Sequence, residues 1–372
     1  MTRRPELLAP AGTMEKLEAA LRYGADAAYL GGRQFGLRAF GGNFTEDEIA
    51  AAVRLAHGMG KKIYVTVNVF PHNEDLVSLP DYLRFLKEAG ADAVLVADLG
   101  VFMCAREAAP GLPIHVSTQA NNVNWRTVRA WQELGAARVV LARELSAAEI
   151  REIRRATDVE LELFVHGAMC ISYSGRCLLS SYFTGRDANR GSCAQSCRWK
   201  YALVEESRPG EYYPIAEDER GTYIMNSKDL CLLTYLDEVV ACGVDSLKIE
   251  GRMKSVHYVA SVVKAYRMAL DACLSEQPYH VEASWLEELN KVSHRAYTTG
   301  FFFGKTTAED QIYGSSSYEQ TSKVRRGRRR RTRDGRVLDE RLRRHLPRAF
   351  GRGHRRRQRE PVQRVFEQTR AL

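Results

Sequence analysis

The amino-acid sequence predicts an α/β protein built on a TIM-type (β/α)8 barrel. The first observation is a repeated unit, in which a helical stretch ends at a glycine and a short apolar strand follows. Such a glycine is typical of a helix end that needs a left-handed backbone, and the apolar run is typical of a strand covered on both faces. The copies of this unit are YGADAAYLGG (23–32), AGADAVLVAD (89–98), LGAARVVLAR (134–143) and CGVDSLKIEG (242–251).

The second observation is a set of further apolar runs in the intervals between these copies: ELLAPAG (6–12), KKIYVTVNVF (61–70), PIHVSTQ (113–119) and LELFVHG (161–167). Helical patterns such as TEDEIAAAVRLAHGMG separate most of the runs. Eight strands that alternate with helices over about 250 residues predict a closed barrel. A doubly wound open sheet is the alternative. No Gly-x-Gly-x-x-Gly follows the first strand, which weakens a dinucleotide-binding version of that sheet.

The domain organisation follows from where the repeated units stop. The predicted barrel occupies residues 1–280, and residues 168–224 form a long Cys-rich insertion after the seventh strand. Long loops in compact domains are usually functional, so we expect this insertion to act as a lid and cofactor platform. Residues 281–323 are rich in aromatic residues and glycine and are expected to wrap around the barrel. Residues 324–372 are an arginine-rich tail, interpreted as a truncated or altered C-terminal extension.

The net charge of +9 arises in this tail. Residues 324–372 contain 19 arginines, no lysine and five acidic residues, which gives +14, whereas residues 1–323 carry −5. One interpretation is a disordered arm that binds RNA phosphates. The other is a change of reading frame near Lys323, after which the sequence is unselected. The abundance of arginine without any lysine favours the frame change.

The sequence shows neither a secretory signal nor a membrane span. The N-terminal MTRRPELLAPAG has no apolar segment, and no stretch reaches the length of a transmembrane helix. The apolar fraction of 45% is ordinary for a soluble globular protein. We therefore expect a cytoplasmic protein without a membrane partner, while the oligomeric state stays open.

Cysteines are concentrated in one 28-residue stretch, at Cys170, Cys177, Cys193 and Cys197. Without an export signal, clustered thiols more often bind metal or do redox chemistry than form disulfides. Structural zinc sites show two tight Cys-x2–4-Cys pairs, and here the second pair alone has that spacing, so a 4Fe–4S cluster is favoured over zinc. Cys231 is a reserve ligand. The alternative is a buried small hydrophobe, the interpretation preferred for Cys104, Cys242 and Cys273.

Polar residues collect where the predicted strands end, the face that carries the chemistry of (β/α)8 barrels. The candidate catalytic residues are His166, Glu144 and Glu250. The candidate substrate-binding residues are Asn68, Gln119, Arg143 and Arg252. Structural roles are the alternative in each case, because a histidine can be a packed side chain, charged residues can form ion pairs and polar runs can cap helices. Gly-x-Ser-x-Gly, His-Glu-x-x-His and Walker motifs do not occur, so a standard serine or zinc protease mechanism has no support.

Several blocks of the chain resemble peptidase family U32. They are ELLAPAG (6–12), the segment from ELFVHGAMCISYSGRC to GSCAQSCRW (162–199), MNSKDLCLL (225–233) and GVDSLKIEGRMKS (243–255). The signature of the family is matched at Glu162, His166, Gly167, Cys170, Gly175, Cys177 and Ser180. The resemblance covers about residues 5–322 and ends near Lys323, where such relatives have a small β-rich C-terminal domain.

The resemblance implies a function. The family was named for a collagenase-like peptidase activity and includes hydroxylases that use an iron–sulfur cluster. The chain is most similar to the prephenate-dependent tRNA uridine 5-hydroxylation group, which implies tRNA as partner, prephenate as a small anionic co-substrate and hydroxylation of the wobble uridine at C5. A U32 collagenase-like peptidase is the first alternative. An iron–sulfur assembly or binding factor without catalysis is the second.

Overall fold

The computed structural model describes residues 4–36, 42–170, 172–174, 176–198, 202–203, 213–214, 226–306, 311–312, 330–331 and 337–338. The chain divides into two compact units, Met1–Thr321 and Ser322–Leu372. The second unit contains the arginine-rich tail. Within it the structure describes one pair of antiparallel strands, at residues 330–331 and 337–338. The predictions for residues 324–372, including the change of reading frame, otherwise lie outside the described residues.

The described strands are short, and eight of them coincide with the apolar runs of the sequence. They are β1 (Glu6–Pro10), β2 (Ala27–Gly31), β3 (Lys62–Val67), β4 (Ala93–Val96), β5 (Ile114–Val116), β6 (Arg138–Val140), β7 (Glu160–Ala168), β8 (Ala202–Leu203), β9 (Tyr213–Pro214), β10 (Asn226–Ser227), β11 (Asp229–Cys231), β12 (Ser246–Ile249), β13 (Tyr297–Thr298), β14 (Gln311–Ile312), β15 (Arg330–Arg331) and β16 (Val337–Leu338).

Six of the ten described helices begin at a side chain that caps them. They are α1 (Met14–Arg22), α2 (Glu46–His57), α3 (Leu79–Glu88), α4 (Leu99–Ala108), α5 (Trp125–Glu133), α6 (Ala147–Ala156), α7 (Leu179–Thr184), α8 (Leu236–Ala241), α9 (Val256–Cys273) and α10 (Ala283–Asn290). Thr45 and Ser146 form capping boxes with the glutamates three residues later, and Asp98 caps α4. Short 3-10 turns lie at Asp75–Val77, Thr118–Ala120, Ala188–Arg190, Ser196–Arg198 and Leu233–Tyr235.

Eight parallel strands close into a barrel in the order β12-β1-β2-β3-β4-β5-β6-β7, and β7 pairs with β12 to complete the circle. Helices lie between successive strands, and the buried residues of strands and helices form one continuous core. This confirms the predicted TIM-type barrel and excludes the open-sheet alternative. A long connection follows β7 before β12, as the predicted insertion requires. None of the described helices combines the length and apolar character that crossing a membrane requires.

The pairing of β7 with β12 is irregular at its carboxyl end. Lys248 lies opposite Phe164, but the next residue of β12, Ile249, lies opposite His166, so Val165 is an extra residue. A bulge of this kind reverses which face of the sheet the following side chain occupies. Beyond it, β7 also pairs with antiparallel β11, which in turn pairs with β13.

The barrel interior contains a network of buried charges. Arg138 on β6 bonds Glu6 on β1 at 2.8 Å, and because these strands are not neighbours in the sheet, the contact crosses the interior. Arg138 also bonds Glu162 at 3.1 Å, and the Lys248 ammonium lies 2.7 Å from the other oxygen of Glu162. Burial would raise the pKa of the Glu162 carboxyl, but Lys248 and Arg138 outweigh it and lower the pKa to about 2. Glu162 is therefore ionised at neutral pH.

We expect the substitution Glu162→Gln to weaken the dependence of the free energy of unfolding on pH in the acid range. The folded-state pKa of Glu162 lies below the ordinary value of 4.5, so the carboxylate stabilises the fold above that pH. This contribution, roughly 3 kcal/mol, is lost as the pH falls toward 2. Urea unfolding at a series of pH values measures the effect, because the free energy of unfolding should fall more steeply with acid in the wild type than in the variant.

The matched control is Glu18→Gln. Glu18 pairs with Arg22 on the surface of α1, where an ion pair contributes little. This variant should keep the wild-type acid dependence. Equal slopes for Glu162→Gln and the wild type would show that the buried network does not contribute as described.

Candidate active site at the barrel mouth

A polar cavity opens at the carboxyl ends of the barrel strands. Its lining comes from seven of the barrel strands or the segments that follow them, together with one residue of the Cys-rich insertion. The lining residues are Tyr29, Thr66, Asn68, Leu95, Ser117, Thr118, Gln119, Arg143, Phe164, Ser174, Lys248, Glu250 and Arg252. Five predicted site residues therefore meet here: Asn68, Gln119, Arg143, Glu250 and Arg252.

Arg252 is held at the wall of the cavity by two neutral partners. Its guanidinium donates to Thr66 Oγ1 at 3.2 Å and to Asn43 Oδ1 at 2.6 Å. Gly31 lies directly beside it, and a Cβ there would stand 2.7 Å from the guanidinium. Both of these hydrogen-bond acceptors are neutral oxygens, and they fix the guanidinium of Arg252 at the cavity wall.

Arg143 and Glu250 form a loose ion pair at the upper end of the distance range for such pairs. The guanidinium of Arg143 stacks over the ring of Phe164 at 3.8 Å and approaches Glu250 Oε2 to 3.9 Å. The Tyr29 hydroxyl lies 3.4 Å from the same carboxylate oxygen. This geometry holds both charges at the cavity without a tight ion pair between them, which leaves guanidinium donors for a ligand.

Lys248 forms the floor of the cavity. Its ammonium bonds Glu162 below and stands 4.6 Å over the ring of Tyr29 and 5.3 Å over that of Phe164. An ammonium has three N–H donors, and Glu162 takes one of them. The floor thus presents a buried cation, fixed from beneath by a carboxylate and flanked by two aromatic faces.

Amide and hydroxyl groups line one side of the cavity. Asn68 Nδ2 donates to Gln119 Oε1 at 3.2 Å and lies 3.4 Å from Ser117 Oγ, which itself donates to Gln119. These residues follow β3 and β5, which are separated by β4, so the cluster joins strand ends across the mouth. It offers fixed hydrogen-bonding groups for a polar ligand.

His166 is not among the residues that line this cavity. The bulge on β7 places it in line with Ile249, on the helix-facing side of the sheet, and its ring packs against Tyr258, Tyr266 and Tyr297 at 5.4 to 6.0 Å. Burial, with His294 and Lys254 nearby, lowers its pKa to about 3, so the imidazole is neutral at pH 7. His166 was expected at the barrel mouth, and the register shift places it among the helices instead. Its catalytic role stays a prediction.

Glu144 also lies outside the cavity lining. It follows the end of β6 and is half-buried, and this burial raises the pKa of its carboxyl. A raised pKa suits a carboxyl that takes up and releases protons, but Glu144 does not reach the residues gathered around Lys248. Its catalytic role stays a prediction.

The clustered cysteines lie on the insertion as free thiols. Cys170 and Cys193 are exposed, and Cys177 and Cys197 are partly buried. Within the part of the chain that the structure describes, no three His, Cys, Asp or Glu side chains converge closely enough to hold a metal ion. The thiols are suitable donors for iron, but their arrangement is not a preformed cluster site. The reserve ligand Cys231 lies on β11, opposite His166 of β7, where its sulfur accepts a bond from Tyr266 and burial raises its pKa; its role as a ligand stays a prediction.

The insertion is tied to the rim of the barrel. Arg190 donates to both carboxylate oxygens of Asp75, at 2.9 and 3.2 Å, in the segment after β3. The guanidinium of Arg176 lies 5.7 Å over the ring of Phe70, and Ser174 reaches the cavity lining. These contacts place the Cys-rich insertion beside the cavity, and its role as a lid stays a prediction.

Sequence reasoning missed four prominent residues of the cavity: Tyr29, Thr66, Phe164 and Lys248. The alternation of side chains along a strand could have identified some of these residues, because side chains two residues apart lie on the same face of the sheet. Lys248 precedes the predicted Glu250 by two positions in an otherwise apolar strand, and Thr66 precedes Asn68 in the same way. A charged residue that shares a face with a predicted site residue was therefore a candidate for the interior.

A closed (β/α)8 barrel with a charged cavity at the carboxyl ends of its strands has the architecture of the barrel enzymes. The chain belongs to peptidase family U32, because the sequence model of that family matches residues 12–312. It is 47% identical over 322 residues to tRNA hydroxylation protein P1 of Bacillus subtilis, covering 86% of this chain and 76% of that protein. It is 42% identical over 350 residues to tRNA hydroxylation protein P of Escherichia coli, covering 83% of this chain and 77% of that protein. A solved U32 peptidase matches 68% of this chain and 94% of its own at 17% identity, with a TM-score of 0.44.

Gly167 allows β7 to approach the backbone of Glu250 closely, and its replacement by alanine should be costly. Its φ is +110°, and a Cβ would stand 2.5 Å from the backbone oxygen of Glu250. Gly167→Ala therefore adds a backbone clash to conformational strain and should lower the free energy of unfolding by at least about 3 kcal/mol. Urea denaturation measures the loss.

Gly135→Ala is the control for strain alone. Its φ is +95°, and nothing lies within 4 Å of an added Cβ. This substitution should cost about 1 kcal/mol. If the two variants were equally stable, the close approach of Gly167 to Glu250 would not be a constraint on the fold.

Proposed function

We propose that the protein hydroxylates RNA, and specifically the wobble uridine of tRNA at C5, with prephenate as co-substrate. The observation that carries the proposal is the cationic cavity formed by Arg143, Lys248 and Arg252 in a chain 47% identical to a tRNA hydroxylation protein. Prephenate is a dicarboxylate, and such a ligand suits a site with several fixed cations. The proposal includes action in the cytoplasm, without a membrane partner.

The cavity side chains would share the work of binding and proton transfer. Lys248 would bind a carboxylate at the floor with its remaining donors, while Arg143 and Arg252 would hold anionic groups at the wall. Glu250 is the carboxylate of the described lining and would accept a proton from the reacting group. Asn68 and Gln119 would orient a polar ring edge through their amide groups.

We further propose that Cys170, Cys177, Cys193 and Cys197 hold a 4Fe–4S cluster, which would supply electron transfer to the oxidation. All four are free thiols with at least part of their surface exposed, within one insertion at the barrel rim. Binding would require the insertion to bring the sulfurs together, because they do not converge in the described structure. Such coupling of metal binding to local folding is common in metalloproteins.

The peptidase alternative lacks a matching geometry among the described residues. Ser117 is a hydroxyl of the cavity lining, but it donates to Gln119, and no histidine belongs to that lining. Serine needs an adjacent base to become a nucleophile. A binding factor without catalysis is distinguished by experiment, because its function would survive substitution of Lys248 or Glu250.

Analysis of tRNA by mass spectrometry tests the function. In a strain that lacks the gene, the wild-type protein should restore 5-hydroxyuridine derivatives. The double variant Lys248→Met/Glu162→Gln should restore at least about 10-fold less at limiting prephenate, because a charge-assisted bond to the co-substrate is lost. The second substitution avoids leaving Glu162 without its lysine.

Lys61→Met serves as the matched control. Lys61 is also a partly buried lysine in an ion pair, with Asp26 at 3.4 Å, but it does not line the cavity. It should restore the modification as the wild type does. Unchanged tRNA in the deletion strain would refute the function, and full activity of the double variant would remove Lys248 from the site.

Iron and sulfide analysis after anaerobic purification tests the cluster. The wild-type protein should contain iron and sulfide and absorb in the visible range, whereas Cys170→Ser should lose most of both. Cys104→Ser, on α4 of the barrel, should keep wild-type iron. Wild-type protein without iron, or Cys170→Ser with a full complement, would contradict the assignment of ligands.

A further inference from the structure

The Cys-rich insertion presents aromatic and apolar side chains to solvent on helix α7 and at the residue before it. Tyr182 is 83% exposed, Leu178 is 71% exposed and Phe183 is 42% exposed. Leu178 and Tyr182 are four residues apart and joined by a helical hydrogen bond, so they share one face of the helix. We call Leu178, Tyr182 and Phe183 the α7 surface. Exposed apolar groups that cluster in this way mark interaction sites.

The ring of Tyr182 packs against the ring of Phe183. It meets the ring of Phe183 edge to face, with the centroids 5.2 Å apart and the planes at 77°. This arrangement is favourable for aromatic pairs and fixes the orientation of the outer ring. A planar face is thus offered to solvent in a defined orientation, as stacking on a ligand requires.

The segment that carries the α7 surface has a positive net charge, whereas residues 1–323 as a whole have a negative one. Residues 169–198 contain four arginines and one acidic residue, whereas residues 1–323 have a net charge of −5. Arg176 and Arg186 are exposed. The acidic residue, Asp187, uses its carboxylate to accept a bond from the backbone of Asn189 at 2.7 Å. Exposed guanidinium groups beside an exposed ring match the phosphates and bases of a nucleic-acid single strand.

The α7 surface belongs to the segment that borders the cavity. Ser174 of the same insertion lines the cavity, and Arg190, after α7, is bonded to Asp75 at the rim. An RNA strand bound along this insertion would therefore run beside the cavity mouth. Recognition of single-stranded RNA commonly uses bases splayed out and stacked on aromatic rings.

We propose that the α7 surface is a stacking platform for an unpaired RNA base, with Tyr182 in face-to-face contact and Arg176 and Arg186 on the adjoining phosphates. A nucleotide next to the stacked base enters the cavity. The inference rests on the proposed function and adds to it the surface that positions the RNA. It also gives the mildly acidic body of the chain a local basic site for its partner.

Binding of a fluorescent RNA hairpin with a single-stranded loop tests the platform, measured by anisotropy with the full-length protein. Tyr182→Ala should raise the Kd about 10-fold, within the range for loss of one base stack. Tyr182→Trp should bind as tightly as the wild type, because the planar face is kept. The KM for prephenate should not change in Tyr182→Ala, since the cavity side chains are untouched.

Tyr235→Ala is a matched control elsewhere on the protein. Tyr235 also meets a phenylalanine edge to face, Phe303 at 4.7 Å and 77°, and it is 37% exposed. It should leave the RNA affinity unchanged. An equal loss in both tyrosine variants would indicate a general effect of removing a ring and would overturn the platform.

The outcomes separate this inference from the proposed function. If the wild type binds and hydroxylates RNA while Tyr182→Ala binds as tightly, the platform is wrong and the function stands. If the wild type neither binds nor modifies RNA, the function itself fails. If Tyr182→Ala changes the molecular mass in solution from dimer to monomer without changing RNA affinity, the α7 surface is a contact between copies and the platform is overturned.

Discussion

The buried charges inside the barrel are the constraint on which the rest of the structure depends. Glu162 is fully buried and stays ionised because Arg138 and Lys248 bond its two oxygens. A buried ion that loses its partner is costly, so β1, β6, β7 and β12 must keep the register that brings these groups together. Barrel interiors are usually filled with branched apolar side chains, and here part of that space is given to charge. The fold and the cavity floor therefore share the same residues.

This network delivers a fixed cation to the cavity. Lys248 is held from below by Glu162 and from the sides by Tyr29 and Phe164, and the ring of Phe164 also carries the guanidinium of Arg143. Because the cations are already in place before a ligand arrives, little ordering is needed when an anion binds. The insertion contributes a different kind of contact, exposed rings on a short helix with exposed arginines before and after it, suited to a larger and more flexible partner. Under the proposed function, a small anionic co-substrate and an RNA strand would meet at this end of the barrel.

Five of the thirteen lining residues were predictable because strand ends in a parallel barrel converge. Asn68, Gln119 and Arg143 follow different strands in the sequence, yet all line one cavity. His166 was assigned to the same mouth, and its displacement into the helical layer results from one extra residue in β7. A bulge of this kind leaves no mark in the apolar pattern, since Val165 is as suitable for a regular strand as for a bulge. The pairing of the interior charges is not visible in the sequence, because the charged residues lie on separate strands that meet only when the barrel closes.

The sequence by itself determined the barrel, the position of the insertion and the clustering of cysteines, because these follow from local periodicity and from the spacing of residues along the chain. Tertiary structure alone decided that His166 leaves the barrel mouth, that Glu162 sits between Arg138 and Lys248, and that the ring of Tyr182 faces solvent. The reason is physical: contacts between strands that are not neighbours depend on register and closure of the whole sheet. A pattern along one strand does not contain that information.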